Sequence, residues 1–276
     1  MSQEQPSLIL YGVPFSQPVR AVMWLMLYKQ VPFEMVLINP GSKGETGSRN
    51  PAYLAKNPGG TIPMIEERET GFVLGEAHPI MCYLSNVNGW DDVYPADHKA
   101  RAKVDWYLHY HHRTVREASA GLVAPKIRKD LDISEASQQA SRATLNRALT
   151  ALETGWLQSS RFLTGDALTL ADFAAYVEIG QLQPGFTNVF DFTPFPNVQR
   201  WLEEMKQVEA HDAVHAVLAK LGDVSVEAPT MEVIRDANKS SLRALKAKLA
   251  EIAATTEVQP QCPGTDRTNP DLPDWC

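Results

Sequence analysis

The turn between the first predicted strand and the first predicted helix carries a serine that is placed to stabilise an anion. Ser16 comes directly before Gln17 and Pro18, where an amphipathic helix is predicted to begin. The first turn of a helix offers free backbone N–H groups and the positive end of the helix dipole, so a hydroxyl there can donate to an anion beside it. Serine also caps helices, and the turn alone favours that capping role. Further features of the sequence are needed to decide between the two.

The segment 57–65 (NPGGTIPMI) has a proline at the head of a predicted strand. Proline cannot donate to a β-ladder and keeps the preceding residue extended, so Pro63 leaves the N–H and C=O of Ile62 free. A bound peptide can pair with those groups like an added strand. Glu76 precedes the third predicted helix, whose first free N–H groups can hold a carboxylate. Read alone, Glu76 is an ordinary acid at a helix start.

The first ninety residues alternate strand and helix signals, which predicts an α/β unit. After the turn-rich segment 86–97 (NVNGWDDVYPAD) the pattern changes to helices alone. We therefore predict four parts: a sheet domain at 1–87, a linker at 88–98, a helical domain at 99–222 and an extension at 223–276. The predicted strands are Leu8–Tyr11, Phe33–Ile38, Met64–Ile65 and Phe72–Leu74, and the predicted helices of the sheet domain are Pro18–Leu27, Ala52–Ala55 and one that opens with Pro79–Leu84.

Helical spacing of apolar residues predicts the elements of the second half. Val104 to Val115 reads as part of one long helix, and a capping box of Thr169 and Asp172 predicts a helix start. In the extension, the apolar repeat from Leu242 to Ile252 predicts one helix docked on the body, and the segment after Thr255 is expected to lack regular structure. The other predicted helices are one through Leu145, Leu149, Leu152 and Trp156, one at about Val198–Val208 and one at Ala210–Leu221.

Composition narrows the function classes. The chain has 33 acidic and 26 basic residues and a formal charge of −7, so we expect no nucleic-acid partner. The start has no basic and apolar signal, and no window reaches about 18 apolar residues, so we expect a cytosolic protein that does not bind a membrane. Cys82, Cys262 and Cys276 are too scattered for a disulfide framework, and Cys82 lies in an apolar run typical of a core.

Several common catalytic motifs are missing from the sequence. There is no phosphate-binding P-loop, no dinucleotide-binding G-x-G-x-x-G after the first strand and no G-x-S-x-G nucleophile elbow. His109, His111 and His112 invite a metal hypothesis. A helix puts adjacent positions on different faces, and the aligned pair His109 and His112 has no convincing further ligand, so we predict no metal site.

Five motifs in this order resemble the glutathione transferase family, and its theta class most closely. The resemblance covers roughly residues 8–222. The motifs are Ser-Gln-Pro-x-Arg-Ala at 16–21, Asn-Pro-x-x-x-Ile-Pro at 57–63, Glu76 before the third helix, Ala-Arg-Ala-Lys-Val-Asp at 100–105, and Leu-Thr-Gly at 163–165 leading into Leu-Thr-Leu-Ala-Asp at 168–172.

The resemblance implies an α/β thioredoxin-like N-terminal domain, an all-α C-terminal helical domain and a homodimer that uses glutathione as co-substrate. It also implies a cis peptide before Pro63 and a backbone pairing of Ile62 with the cysteinyl unit. Asp105 matches an acid that reaches the glutamyl amine of the neighbouring subunit. The glutathione-binding residues expected on this basis are Lys43, Thr61, Ile62, Pro63, Glu76, Ala77 and Asp105, with Lys43 assigned to the glycine carboxylate from its charge and loop position.

Two positions depart from the family pattern. Ala77 stands where a serine usually supplies a hydroxyl to the γ-glutamyl carboxylate, and Thr61 stands where a basic residue is frequent. Loss of one hydrogen bond to a charged group costs about 1.5 to 3 kcal/mol. We therefore predict weak glutathione binding.

The mechanism that follows is activation of the glutathione thiol, since a free thiol has a pKa of about 8.5 and only the thiolate is a good nucleophile. The Ser16 hydroxyl would donate to the sulfur anion, which would attack a small hydrophobic electrophile. The acceptor pocket is expected between the domains, with Phe15, His112 and Arg116 as candidates and the C-terminal helix as a further wall. Alkyl and arylalkyl halides, epoxides and organic peroxides are the electrophile classes that the family implies.

Two other hypotheses remain open on the sequence. The first is a non-catalytic protein of the same fold, used for binding or as a scaffold. Ala77 favours it because the usual serine hydroxyl is missing, and fold alone does not prove function. A thiol–disulfide exchanger or dehydroascorbate reductase on this scaffold would need a cysteine where Ser16 stands.

Overall fold

A computed structural model describes residues 5–127 and 131–258. Its N-terminal part contains a four-stranded mixed sheet of order β2-β1-β3-β4. β1 pairs parallel with β2 and antiparallel with β3, and β3 pairs antiparallel with β4. The strands are β1 (Leu8–Gly12), β2 (Glu34–Leu37), β3 (Met64–Glu67) and β4 (Val73–Gly75).

Three helices belong to the sheet domain, and the first of them joins the two halves of the molecule. They are α1 (Gln17–Tyr28), α2 (Pro51–Lys56) and α3 (Ala77–Val87). Every side chain of α1 from Val19 to Leu27 is buried, because α1 lies between the sheet and the helical domain. The ring of Trp24 meets those of Phe173 and Tyr176 edge-on, with centroids 5.2 and 5.3 Å away. One continuous apolar core therefore spans both halves.

The described part of the second half is helical. A π-helical turn at Leu152–Trp156 follows the third of its helices, and a 3-10 turn at Gly180–Leu182 follows the fourth. The predicted fold class is confirmed: an α/β thioredoxin-like domain precedes an all-helical domain. The helices are α4 (His98–His112), α5 (Val115–Ile127), α6 (Glu135–Ala151), α7 (Leu170–Ile179), α8 (Pro196–Lys206), α9 (His211–Leu221) and α10 (Met231–Val258).

The predicted long helix through Val104 and Val115 is wrong, because it divides into α4 and α5. At the break, the N–H groups of Arg113 and Thr114 bond to carbonyls only three residues back, at 3.3 Å each. The Thr114 hydroxyl donates a hydrogen bond to the carbonyl of Tyr110, at 2.7 Å. The third helix also starts earlier than predicted, at Ala77, because a proline is tolerated within the first turn of a helix.

The predicted capping box at the start of α7 is confirmed. Asp172 accepts hydrogen bonds on Oδ2 from the N–H and hydroxyl of Thr169, at 2.9 and 3.1 Å. Its Oδ1 accepts from the N–H of Leu163 at 2.9 Å and from Nε1 of Trp201 at 3.0 Å. Burial raises the pKa of Asp172 to about 6, against the lowering effect of these four donors. Both oxygens of this buried carboxylate are fully used in holding three chain segments together.

The C-terminal helix is docked on the body, as predicted. α10 packs along α9, with Leu245 and Ile252 buried. It continues to Val258, three residues past the point where irregular structure was expected, and the rest of that predicted irregular tail lies outside the described residues. None of the described helices is both long and apolar enough to span a membrane.

Candidate active site

Ser16 occupies the N-cap position of α1, with φ −72° and ψ 125°. Its backbone carbonyl accepts from the N–H of Arg20 at 2.9 Å, as expected of an N-cap residue. Its side chain makes no capping hydrogen bond and is half-buried. Within the described residues, the hydroxyl is therefore not committed to the helix and can donate to a ligand.

The turn that carries Ser16 is held from behind by a buried arginine. Nη1 of Arg20 donates to the carbonyl of Phe15 at 2.7 Å, and Nη2 donates to the carbonyl of Val177 in α7 at 3.1 Å. Burial lowers the pKa of Arg20 to about 10, while the charge of Glu178 raises it. Arg20 therefore stays protonated at neutral pH and fixes the turn against the helical domain.

A second arginine reaches the same turn from α5. Nη1 of Arg116 lies 2.7 Å from Oε1 of Glu178 and donates to Oε1 of Gln17 at 3.3 Å. The side chain of Glu178 is only 1% exposed, and that of Arg116 is 35% exposed. Glu178 thus pairs directly with Arg116 and acts on Arg20 through its charge alone. The start of α1 favours an anion beside Ser16.

The Ile62–Pro63 peptide bond is cis, which the family resemblance implied. Tyr53 Oη and Asn57 Nδ2 both donate to the carbonyl of Thr61, at 2.7 and 2.9 Å. These bonds fix Thr61, the residue before Ile62. The N–H and C=O of Ile62 make no hydrogen bond to another described residue. This backbone edge is open for pairing with an extended peptide.

Glu76 has a backbone conformation that is rare for a residue with a side chain. Its φ is +70° and its ψ is 128°, at the N-cap position of α3. Such strain is costly and clusters at sites that bind ligands. The exposed carboxylate accepts from Oγ1 of Thr61 at 3.2 Å, so Thr61 and Glu76 lie side by side, with Ala77 opening the helix.

A cavity of about 140 Å³ connects the two domains at this point. The sheet domain contributes Thr61, Ile62, Glu76 and Ala77 to its lining, and the helical domain contributes the predicted acceptor residues His112 and Arg116. The lining also contains residues that sequence analysis did not select: Pro18, Ala21, His78, His111, Ala174, Val177 and Glu178.

Five predicted positions do not line this cavity: Phe15, Ser16, Lys43, Pro63 and Asp105, which is described below. Ser16 and Phe15 precede α1, whose Pro18 does line it. Lys43 is an exposed loop residue. No residue of α10 lines the cavity either, and its apolar stripe packs on α9. The expectation that this helix walls the acceptor pocket stays a prediction.

Asp105 is also absent from the cavity lining. Its Oδ1 accepts a hydrogen bond from Oη of Tyr94 at 2.9 Å within the chain. Cys82 lies nearby, and burial raises the pKa of its thiol to about 11. That thiol is therefore protonated and unreactive at neutral pH.

A histidine cluster forms the cavity wall that faces α4. The ring of His78 lies 5.0 Å from that of His111 and 4.4 Å from that of His112, measured between centroids. Burial lowers the pKa of His78 to about 3 and that of His111 well below its usual value. Both rings are therefore neutral at physiological pH. Sequence analysis missed His78 as a site residue, although its place directly after Ala77 was a signal.

Among residues 5–127 and 131–258, no group of three or more His, Cys, Asp or Glu side chains is arranged to hold a metal ion. The site offers a hydrogen-bonding hydroxyl at the start of α1 and an open backbone edge at Ile62. That combination suits a ligand that is both peptide and anion, such as a peptide thiolate.

Comparison with known proteins decides the family. The chain matches the family model for the glutathione S-transferase N-terminal domain over residues 10–88 and that for the C-terminal domain over residues 102–209. Glutathione S-transferase theta-1 of Homo sapiens is 30% identical over 231 residues, which cover 81% of this chain and 93% of the relative. The chain belongs to the glutathione S-transferase family.

Other relatives place this glutathione S-transferase near the theta class. The solved structure of human glutathione-S-transferase T1-1 in its apo form has a TM-score of 0.68 and 26% identity, covering 88% of this chain and 99% of that chain. Glutathione S-transferase T3 of Arabidopsis thaliana is 29% identical over 233 residues, or 78% of this chain. The chain spans only 37% of that plant relative's length. The theta-like resemblance stated from the motifs is thus confirmed.

Proposed function

We propose that this chain binds glutathione, ionises its thiol with the help of the Ser16 hydroxyl and transfers the thiolate to small electrophiles. The observation that carries the proposal is the N-cap position of Ser16 with no capping hydrogen bond. A serine whose Oγ is not turned back onto its own helix can direct its hydroxyl at a ligand. Because the hydroxyl only donates, Ser16 keeps its own proton throughout, and the proton of the thiol passes to solvent water as the thiolate forms.

The binding mode proposed for glutathione uses the open backbone edge. The cysteinyl unit pairs with the N–H and C=O of Ile62, next to the cis bond of Pro63, and the γ-glutamyl end lies at Thr61, Glu76 and Ala77. These residues support the mode because four of them line one cavity. Lys43 for the glycine carboxylate stays a prediction.

A homodimer is part of the proposal, with Asp105 directed to the glutamyl amine in the neighbouring subunit. Halides, epoxides and peroxides are the proposed electrophile classes, and detoxification is the proposed role. A cytosolic location stays a prediction from the sequence.

The decisive experiment compares two serine variants at helix starts. Ser16→Ala is expected to lower turnover far more than it weakens glutathione binding, because the hydroxyl acts on the thiolate. Ser134 is the matched control, since it does cap its helix: Oγ accepts from the N–H of Ser137 at 3.2 Å. Ser134→Ala should cost about 1 kcal/mol of stability and leave turnover unchanged. Equal turnover in wild type and Ser16→Ala would remove Ser16 from the mechanism.

Ala77 predicts weak binding of the γ-glutamyl carboxylate. Ala77 is 5% exposed at the first position of α3, where a hydroxyl could reach the same ligand group as the helix N–H. Ala77→Ser should therefore tighten glutathione binding about tenfold or more, as expected for a hydrogen bond to a charged group. Calorimetry with glutathione measures this gain. Low micromolar binding by the wild type would contradict the prediction of weak binding.

A non-catalytic binding or scaffold protein is the second candidate, and Ala77 is the observation that favours it. The two candidates separate in the same calorimetry experiment. Absence of binding at millimolar glutathione and at millimolar S-hexyl conjugate would favour the scaffold.

A further inference from the structure

Glu178 is a buried carboxylate with one satisfied oxygen and one free oxygen. Oε1 pairs with Nη1 of Arg116 at 2.7 Å. Oε2 is buried and has no hydrogen-bond partner among the described residues. A buried carboxylate oxygen without a donor is costly, and native structures leave few such atoms without a role.

The position of Glu178 relates that free oxygen to the ligand. Glu178 lines the same cavity as Ile62 and Ala77, which belong to the proposed glutathione site. Its partner Arg116 bonds through the same nitrogen to Gln17, the neighbour of Ser16. Glu178 is therefore linked through Arg116 and Gln17 to the turn that carries Ser16.

The charged side chains around Glu178 do not bond to Oε2. Arg116 is committed to Oε1 and Gln17. Arg20 donates through its Nη atoms to backbone carbonyls and to Gln181, its Nε is buried without a partner among the described residues, and it does not line the cavity. The neutral rings of His78 and His111 make no hydrogen bond to Glu178 within the described residues. A donor carried by the ligand is thus the chemical match for the free oxygen.

We infer that Glu178 determines acceptor-substrate specificity, with Oε2 taking a hydrogen bond from an O–H or N–H group on the electrophile. The inference rests on the proposed function and names a substrate class for it: electrophiles that carry a hydroxyl or amine near the reacting carbon. Such ligands donate a hydrogen bond to Oε2, whereas isosteric ligands without a donor leave this oxygen buried and unpaired. Sites built in this way discriminate strongly against analogues that lack the donor.

The test uses two isomeric product analogues, so that size and composition are identical. S-(3-hydroxypropyl)glutathione can donate a hydrogen bond, and S-(2-methoxyethyl)glutathione can only accept one. Calorimetry on the full wild-type chain should show tighter binding of the hydroxypropyl isomer by about tenfold or more, the range expected for hydrogen bonds to a charged group. Equal affinities would overturn the inference.

The Glu178→Gln variant locates the effect. Its amide oxygen can keep the bond to Arg116 and turn its NH₂ into the cavity, so either ligand oxygen can accept and the preference should disappear. Glu117→Gln is the matched control, since Glu117 is an exposed acid one residue from Arg116, and it should retain the preference. A preference that persists in Glu178→Gln would also overturn the inference.

Failure of the inference and failure of the proposed function are distinguishable. If glutathione and its S-hexyl conjugate bind, but the two isomeric conjugates bind with equal affinity, only the inference fails. If none of these ligands binds, the proposed function fails and the inference with it. If Glu178→Gln does not fold, a crystal structure of wild type with the hydroxypropyl conjugate decides. A hydroxyl about 2.5 to 3.0 Å from Oε2 supports the inference, and a hydroxyl directed elsewhere contradicts it.

Discussion

Helix α7 carries two buried carboxylates that differ in how their oxygens are used. Asp172, in its first turn, is fully buried and accepts four hydrogen bonds, two on each oxygen. Glu178, near its end, is almost as buried and has one oxygen on Arg116 and one without a partner. A saturated carboxylate stabilises a fold, whereas a half-saturated one beside a cavity is available to a ligand.

The surroundings of the two ends of α7 show the same contrast. Near Asp172, three chain segments meet through backbone and side-chain donors. At the cavity end, Glu178 Oε2 and Nδ1 of His111 are both buried without partners among the described residues. The donors around Asp172 complete its carboxylate, whereas these two atoms at the cavity end stay without a partner among the described residues.

The isosteric change Asp172→Asn tests whether the saturated carboxylate stabilises the fold. Both oxygens of Asp172 face N–H donors, so the amide NH₂ must point at another donor whichever way it turns. We expect the free energy of unfolding to fall by about 3 kcal/mol, as measured by urea denaturation. A loss below 1 kcal/mol would mean that the four hydrogen bonds do not carry the stability of this region.

The same change at the other end, Glu178→Gln, should cost less. The amide oxygen can still accept from Arg116, and no donor faces the position that NH₂ would take. The charge is lost beside Arg20 and Arg116, so we expect a decrease of about 2 kcal/mol in the free energy of unfolding. Urea denaturation of both variants side by side gives the comparison directly. If Glu178→Gln is the more destabilised of the two, the distinction between the two carboxylates is wrong.

The buried imidazole of His111, whose Nδ1 has no partner among the described residues, predicts a pH dependence of stability. Burial lowers the pKa of His111 well below its usual 6.5, so at acid pH the unfolded chain binds a proton that the folded chain excludes. Stability contributed in this way is complete above about pH 6.5 and falls as the pH drops, by about 1.4 kcal/mol per pH unit for one such group. His78 acts in the same direction. Asp172, whose pKa is raised to about 6, acts in the opposite one.

Replacing this imidazole separates its contribution from the others. The His111→Leu variant should flatten the dependence of stability on pH by about that slope between pH 6 and 4. Urea denaturation at several pH values measures it. An identical slope in wild type and variant would show that His111 binds its proton in the folded state after all.

The smallest expected effect concerns one donor of the saturated carboxylate. Thr169→Val keeps the side-chain shape and removes the hydroxyl that lies 3.1 Å from Oδ2 of Asp172. Three donors remain, so the expected loss is about 1 kcal/mol of unfolding free energy. Thermal denaturation resolves such a change, and a loss comparable to that of Asp172→Asn would show that the hydroxyl dominates the network.

The sequence reveals the two carboxylates to very different degrees. The spacing of Thr169 and Asp172 predicts the capping box because the interaction is local, spanning three residues. The partners of Glu178 lie far away in the chain: Arg116 is in another helix, and Arg20 is in another domain. No local pattern connects them. A single acid among the apolar residues at the end of α7 was the only signal.

Other parts of the site divide in the same way. The open backbone of Ile62 follows from proline chemistry at Pro63, whereas the cis bond there came from family resemblance, since most X–Pro bonds are trans. The break between α4 and α5 was missed because the apolar stripe continues across it in register and no glycine or proline marks it. The placement of α10 on α9 depends on tertiary packing that its own repeat does not encode.

Spectroscopic titration of the bound thiol shows whether Ser16 stabilises the thiolate of glutathione. The ultraviolet absorbance of the thiolate is followed against pH with glutathione bound to wild type, Ser16→Ala and Ser134→Ala. We expect an apparent thiol pKa well below the free value of about 8.5 in wild type and Ser134→Ala, and a pKa nearer to that value in Ser16→Ala. The same lowered pKa in all three proteins would contradict this role of Ser16.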